Sequence, residues 1–291
     1  KAEEQRTADK ALDELEKMIG LGSVKEEVNK LLASLEVEKK RREQGLPIPP
    51  ISRHMVFTGP PGVGKTVIAN ILGGTELFVG QGAKLTFASL QDWSRNVYHY
   101  GNGRAQLAKD AELQWIQVMV GGRMSKTNIW YNLDGEGANA FVHGFMFGDS
   151  RQHFHLHTLQ RHLKPNCTSD LLIKGCLKDK ARSVYQGLIQ VAEGAQKTNA
   201  YQANRNLLLS DQARADSIPG LEILANDVRC THGATLGHVD SEHLFYLMAR
   251  GLPRVEAERL VVEAFFEPVL ERIPLESLRE QLREEIERKI G

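Results

Sequence analysis

The sequence has no run of about 18 apolar residues, so it offers no membrane-spanning helix. It has no net charge either, with 37 Lys+Arg against 37 Asp+Glu. That balance speaks against nucleic acid as the main partner, because phosphate binding leaves a basic footprint. It holds only 3 cysteines, Cys167, Cys176 and Cys230. They are too few and too scattered for a disulfide framework, and a reducing cytoplasm suits them better. No basic, apolar and then small-residue leader opens the chain, and no initiator Met is present, so an upstream start is expected. What remains is ordinary for a globular protein: 291 residues, 41% hydrophobic and 25% charged, enough for about two domains.

Three textures divide the chain at about residues 73 and 239. In the first, Leu12, Leu15, Met18 and Ile19 recur at helical spacing, and Gly20 and Gly22 break the pattern. A second helix is expected from Val24 to Gln44, with the basic run Lys39 to Arg42 near its end, where cations suit the helix dipole. Residues 54–57 then read as a short buried strand. From Gly74 to Val239 short β-prone runs alternate with turns rich in Gly, Asp, Asn and Lys. Examples are Lys84–Phe87, Leu113–Ile116, Phe141–Phe145, Ser183–Tyr185, Leu188–Val191 and Leu221–Leu224. No amphipathic helix of ordinary length separates them, which argues against a βαβ sheet. From Asp240 to Gly291 the pattern is helical again. Asp240 and Ser241 are N-cap types, Gly251 closes the first helix, and Pro253 suits the first turn of the next. Pro268 should kink or end that second helix, and Pro274 precedes a last amphipathic one.

A weak repeat runs through the middle texture. A polar turn ends in Ala, a polar residue follows, and a strand begins, at Ala83, Ala111, Ala138, Ala181, Ala195 and Ala213. The first two intervals nearly agree, and the later three do not. Stacked coils of a parallel β-helix and a β-sandwich with common turns both accommodate this spacing, with the coils slightly ahead.

Two segments carry family resemblance. Gly59-Pro-Pro-Gly-Val-Gly64-Lys65-Thr66 fits the P-loop pattern, in which glycines let backbone N–H groups wrap phosphates, Lys65 reaches the β/γ-phosphates and Thr66 ligates Mg²⁺. Together with Ile19 to Val28, this stretch resembles the N-terminal part of AAA ATPases of the rubisco-activase (CbbX) and sporulation type. The likeness stops just after the P-loop helix begins. Ile129 to Asp134 is a poor Walker B, since Asn132 interrupts it. Gly59, Gly64, Lys65 and Thr66 are thus a candidate ATP/Mg²⁺ site without the parts that hydrolysis needs.

From about Gly74 to its end the chain resembles the SufB/SufD family of iron–sulfur cluster assembly proteins, and SufD more than SufB. The carrying segments include Thr168 to Gly175, Ala181 to Gly187, Tyr201 to Ser210, Ala215 to Ile223, Ala225 to Thr235 and Leu244 to Gly251. The resemblance implies a mainly β fold, a right-handed parallel β-helix with a C-terminal helical segment, here preceded by the α/β P-loop ATPase fragment. It implies a non-catalytic scaffold that pairs with SufB, docks the SufC ATPase through its C-terminal helices and receives sulfur indirectly from a SufE-type system. No membrane partner is expected. The site it implies is Cys230 and His232, holding a transient, nascent iron–sulfur cluster at the SufB interface. The residue types suit this: thiolate and imidazole both ligate iron, and residues two apart on a strand share a face. A buried core cysteine is the competing reading of Cys230.

Other features read as structural. His153, His155 and His157 alternate on one strand face with His162 nearby, and are expected to form a hydrogen-bonded ladder in preference to a metal site. Cys167 and Cys176 fit no common ligand spacing. With an ATPase fragment where a SufD-like chain would carry further coils, an open end is expected near Phe78 to Ser89. Two other functions stay open at this stage: a P-loop ATP-binding protein with a β-rich module, and an inactive chimera.

Overall fold

A computed structural model describes residues 73–273 and 276–290. The P-loop residues Gly59, Gly64, Lys65 and Thr66, and the helices and strand expected before them, lie outside the described residues.

Twelve strands run in chain order: β1 (Gly74–Val79), β2 (Lys84–Gln91), β3 (Tyr98–Leu107), β4 (Glu112–Met119), β5 (Met124–Leu133), β6 (Asn139–Gly148), β7 (His153–His162), β8 (Thr168–Leu177), β9 (Arg182–Val191), β10 (Asn199–Leu208), β11 (Arg214–Ile223) and β12 (Arg229–His238). Odd strands form one six-stranded sheet and even strands another, each in sequence order and paired in parallel. The chain therefore winds as a β-solenoid of about six turns. One register position can be followed from coil to coil, from Lys84 through Glu112, Asn139, Thr168 and Asn199 to Arg229. Two of the expected strands, Ser183–Tyr185 and Leu188–Val191, are halves of the single strand β9.

The corners explain the irregular repeat. Before the even strands, Gly82, Asp110, Gly137, Asn166 and Lys197 hold positive φ, from 54° to 71°. These positions stack, so that Asp110 N donates to Glu136 O and Asn166 N to Gln196 O. Gly137 has a second reason to lack a side chain, since a Cβ there would sit 2.4 Å from Asp110 Oδ1. A small buried residue follows: Ala111, Ala138, Cys167 or Thr198. Ala181 and Ala213 instead precede odd strands, at the opposite corner. The sequence repeat mixed two corners and missed Cys167 and Thr198, which occupy the alanine position.

The two sheets bury different faces. The inward row fills the lumen with Leu107, Leu113, Trp115, Ile129, Tyr131, Leu133, Leu156 and Leu171 among others. The odd strands otherwise alternate buried and part-exposed, as β5 and β7 do throughout. The even strands β4, β6 and β8 become continuously buried in their second halves, because helices cover their outer face. Those helices are α2 (Arg254–Leu270) and α3 (Glu276–Ile290); α1 (Ser241–Ala249) precedes them. Asp240 caps α1, its Oδ1 accepting from Glu242 N at 2.8 Å, and Gly251 follows the helix with φ 93°. Phe266 packs on Phe145 and Phe147, with ring centroids 4.5 and 5.9 Å away. Ile116, Val118, Cys176, Val262, Val269, Leu270, Leu282 and Ile286 complete that second core. Buried cations pin the hairpin. Lys174 Nζ donates to Phe265 O at 2.6 Å, and Lys289 Nζ to Gln152 Oε1 at 2.9 Å with Asp149 3.6 Å away. Pro268 does not stop α2, which continues to Leu270; the packing outweighs the hydrogen bond that a proline removes.

At the first coil, Phe78 is 71% exposed, and Leu77, Leu85 and Phe87 pack on the lumen core only in part. Among the described residues no strand lies beyond β1 and β2, where the open end was expected.

Candidate functional site

Burial decays toward the last coil. Strand β9 buries every second residue, whereas β12 buries none. β12 pairs only with β10 and is the last strand of its sheet, as β11 is of the other. Their backbone edges beyond those pairings carry no described partner strand.

Cys230 and His232 lie on β12. Their register partners are Ala200 and Gln202 of β10, both buried in the lumen row. The pair therefore shares a face and stands on the inner wall at the mouth of the solenoid, the end that no further strand covers among the described residues. Cys230 is half-buried against Ile189, Val191, Ala195, Ala200 and Ala225. Burial pushes its thiol above the ordinary range, so it is a thiol at neutral pH and would release a proton on binding a metal. His232 is exposed. Cys230 is thus neither a fully buried core residue nor fully exposed: it packs against that cluster in part.

Among the described residues no group of three His, Cys, Asp or Glu could hold a metal ion. Cys230 and His232 offer two candidate donors, where a four-coordinate site needs four. His153, His155 and His157 do share the outer face of β7, but no hydrogen bond forms between them, and His155 Nε2 is buried without a partner. Burial lowers all three pKa values, with Lys126 adding to the effect at His155 and His157. The expected hydrogen-bonded ladder is instead a packed face in which Trp130 meets His157 edge-on. Cys167 fills a corner and Cys176 the helix-covered core; all three cysteines are free. Asp134, in the poor Walker B, accepts from Gln106 Nε2 at 2.6 Å.

Sequence reasoning missed the floor beneath the pair. The lumen row of β10 reads Ala200, Gln202, Asn204 and Asn206, all buried. Gln202 Oε1 accepts from Tyr185 Oη at 3.2 Å and from Gln160 Nε2 at 3.4 Å. Its Nε2 donates to Gly220 O of β11 at 3.0 Å. The network continues through Ser169, which donates to Gln160 at 2.8 Å, to His162 Nε2. A signal was present: polar residues at every second position from Gln202 to Asn206 mark one strand face as polar.

The family model of the SUF-system FeS cluster assembly SufBD core domain matches residues 65–265. The chain belongs to the SufBD family. It is 36% identical over 223 residues to an iron–sulfur cluster assembly SufBD family protein of Mycobacterium tuberculosis, covering 74% of this chain and 56% of that one. It is 34% identical over 227 residues to the cluster assembly protein SufD of Bacillus subtilis, 78% of this chain and 52% of that one. SufD of Escherichia coli is 34% identical over 185 residues, covering 64% and 44%. The chain thus spans about half the length of these curated relatives. The family match covers β1 to β12 and α1, so the Cys230–His232 wall belongs to the shared SufBD core. Most of the stretch expected to resemble AAA ATPases, residues 1–64 of about 1–72, lies outside that match, and none of these comparisons supports that resemblance.

Proposed function

We propose that the chain is a SufD-like, non-catalytic scaffold subunit for iron–sulfur cluster assembly, pairing with a SufB-like subunit and docking a SufC-like ATPase. Relatives that bear the SufD name support the first part. The observation that carries the reading is the Cys230–His232 pair, facing inward on a strand with no described partner along its outer edge. Two donors on one wall leave a nascent cluster, the cargo, to be completed by ligands from a partner seated on the same mouth. The free edges of β11 and β12 suit such a partner through strand addition. Large apolar side chains exposed nearby, among them Ile218, Leu224 and Leu236, add contact area.

The SufC-like partner has a separate surface. Helix α1 leaves Phe245 74% and Tyr246 58% exposed, with Met248, Val255 and Leu260 exposed nearby. Because α2 and α3 bury their own apolar stripes on the solenoid, α1 and the first turns of α2 are the part of the segment free to dock. Sulfur would come through a SufE-type donor acting on the assembly, in the reducing cytoplasm that three free thiols suit. The coil winds right-handed on this reading, as parallel crossovers almost always do.

The test is pull-down of the full chain with SufB and SufC, beside Cys230→Ala and His232→Ala, followed by anaerobic iron and sulfide analysis. Assembly by all three with iron and sulfide lost from the variants is the expected result. A wild-type chain that binds neither partner would refute it.

A further inference from the structure

The lumen of this solenoid mixes apolar side chains with scattered buried polar ones, such as Gln117 and Ser125, in its earlier coils, and beneath the Cys230–His232 wall the row on β10 is polar at three successive inward positions, Gln202, Asn204 and Asn206. An apolar residue of glutamine's size at 202 would fill the same space without needing partners, and buried polar groups replaced together with their partners by apolar ones are often near-neutral for stability. The amide must therefore be explained by what it connects. Gln202 is wholly buried and all three of its described hydrogen bonds leave its own sheet: to Tyr185 and Gln160 on the opposite wall, and to the backbone of Gly220 on β11. It ties β10 across the lumen to the last odd strand.

The surroundings are shaped around that tie. Gly187 lies where a Cβ would sit 2.2 Å from Tyr185 Oη and 2.4 Å from Gln202 Oε1. The Tyr185 hydroxyl is held in turn by Thr158 at 3.0 Å. Gln202 is the register partner of His232, so the two side chains are neighbours on one face, about 5 Å apart along the hydrogen-bonding direction. β12 has no described strand on its far side. Its ligand wall is held by β10 beneath it and by whatever fixes the opposite wall.

We propose that Gln202 is a positioning residue for the Cys230–His232 pair: by bracing β10 against β11 it sets the spacing of the mouth and the platform on which His232 rests. The proposal rests on the reading of Cys230 and His232 as a ligand pair. Tyr185 and Gly187 are parts of the same brace, one as a donor and the other as the space it needs.

Cobalt(II) titration of the full chain under anaerobic conditions, following the thiolate-to-cobalt charge-transfer band, tests both levels separately. Wild type should show the band and Cys230→Ala should not. Gln202→Leu should bind cobalt about tenfold more weakly, as loss of outer supporting groups typically does. Tyr185→Phe, which removes one of three bonds to the amide, should lie between them. A merely structural role would shift the melting temperature and leave the band of the folded protein unchanged. Wild-type affinity in Gln202→Leu overturns the positioning role while leaving the ligand pair standing. If that variant does not fold, wild-type affinity in Tyr185→Phe overturns it equally. A wild-type chain without the band overturns the ligand pair and the brace together.

Discussion

Gly187→Ala perturbs the brace by a single methyl group, and the geometry sets the size of the effect. Gly187 has an ordinary φ, so the backbone tolerates alanine; the obstacle is the pair of oxygens 2.2 and 2.4 Å from the new Cβ. Neither can retreat freely. Tyr185 is 1% exposed and Gln202 wholly buried, and both are held by hydrogen bonds. Overpacking of this kind costs about 1–3 kcal/mol. Parting Tyr185 from Gln202 leaves buried polar atoms short of a partner, about another 1–3 kcal/mol. The sum, about 2–6 kcal/mol, corresponds to a fall in Tm of roughly 4–24 °C for a unit of this size. Gly220→Ala is the control, since its nearest neighbours would be Leu188 Cδ1 at 3.4 Å and Gly187 O at 3.6 Å, ordinary contacts. Removing the hydroxyl with Tyr185→Phe relieves the shorter of the two collisions. The double variant should therefore recover about 1 kcal/mol or more relative to the sum of the singles in urea unfolding. A Gly187→Ala chain as stable as wild type, or strict additivity with Tyr185→Phe, would show that the lumen is looser than its distances imply.

Acid should unfold the solenoid through its buried histidines. Burial lowers the pKa of His143 and of His162 to about 4, with Arg272 adding to the effect at His143. A base whose folded pKa lies below its unfolded value of about 6.5 contributes stability above pH 6.5 and loses it as pH falls through 4, about 3 kcal/mol each in full. A urea series from pH 7 to 4 should show a shallower loss in His162→Gln than in wild type; equal slopes would refute that assignment. Phe266→Ala empties the ring-packed centre between α2 and β6, and should cost about 3–5 kcal/mol in the same unfolding assay. A loss below about 1 kcal/mol would mean the helices do not depend on that contact.

The fold was legible where the physics is local. Asp240, Gly251 and the β-prone runs announced caps and strands because N-cap chemistry and strand preference act over a few residues. The coil period was blurred for an equally physical reason. A corner needs one residue in the left-handed region and then a small one, and the chain meets the first need with Gly, Asp, Asn or Lys and the second with Ala, Cys or Thr. Reading alanine alone found some of the corners and mixed two kinds. Cys230 and His232 were found through family likeness, and alternation then placed them on one face. Their register against Ala200 and Gln202 needed the fold, because pairing between coils a full turn apart in the chain leaves no mark in either strand alone. The histidines of β7 looked more purposeful than they are: alternation aligned three imidazoles, and the strands beside them supplied Lys126 and Arg182 instead of carboxylates.

The candidate site sits where the described fold is least finished, and the two are connected. A solenoid satisfies each coil with the next, so among the described residues the last coil has strand edges without a partner and a half-covered inner wall. Helices could have closed this end, yet α2 and α3 lie along the outer face of the even-strand sheet, held there by Lys174, Lys178 and Lys289. Left alone, such an end invites unspecific strand pairing, with Leu221, Ile223, Leu224 and Leu236 exposed beside the free edges. The polar brace answers a narrower need than closure. It fixes the walls of the mouth from within, through Gln202, Tyr185 and Gly220, while the backbone edges and the donors of Cys230 and His232 stay accessible. A capped end would be more stable and would hide both donors. An open end without the brace would expose them with no fixed spacing.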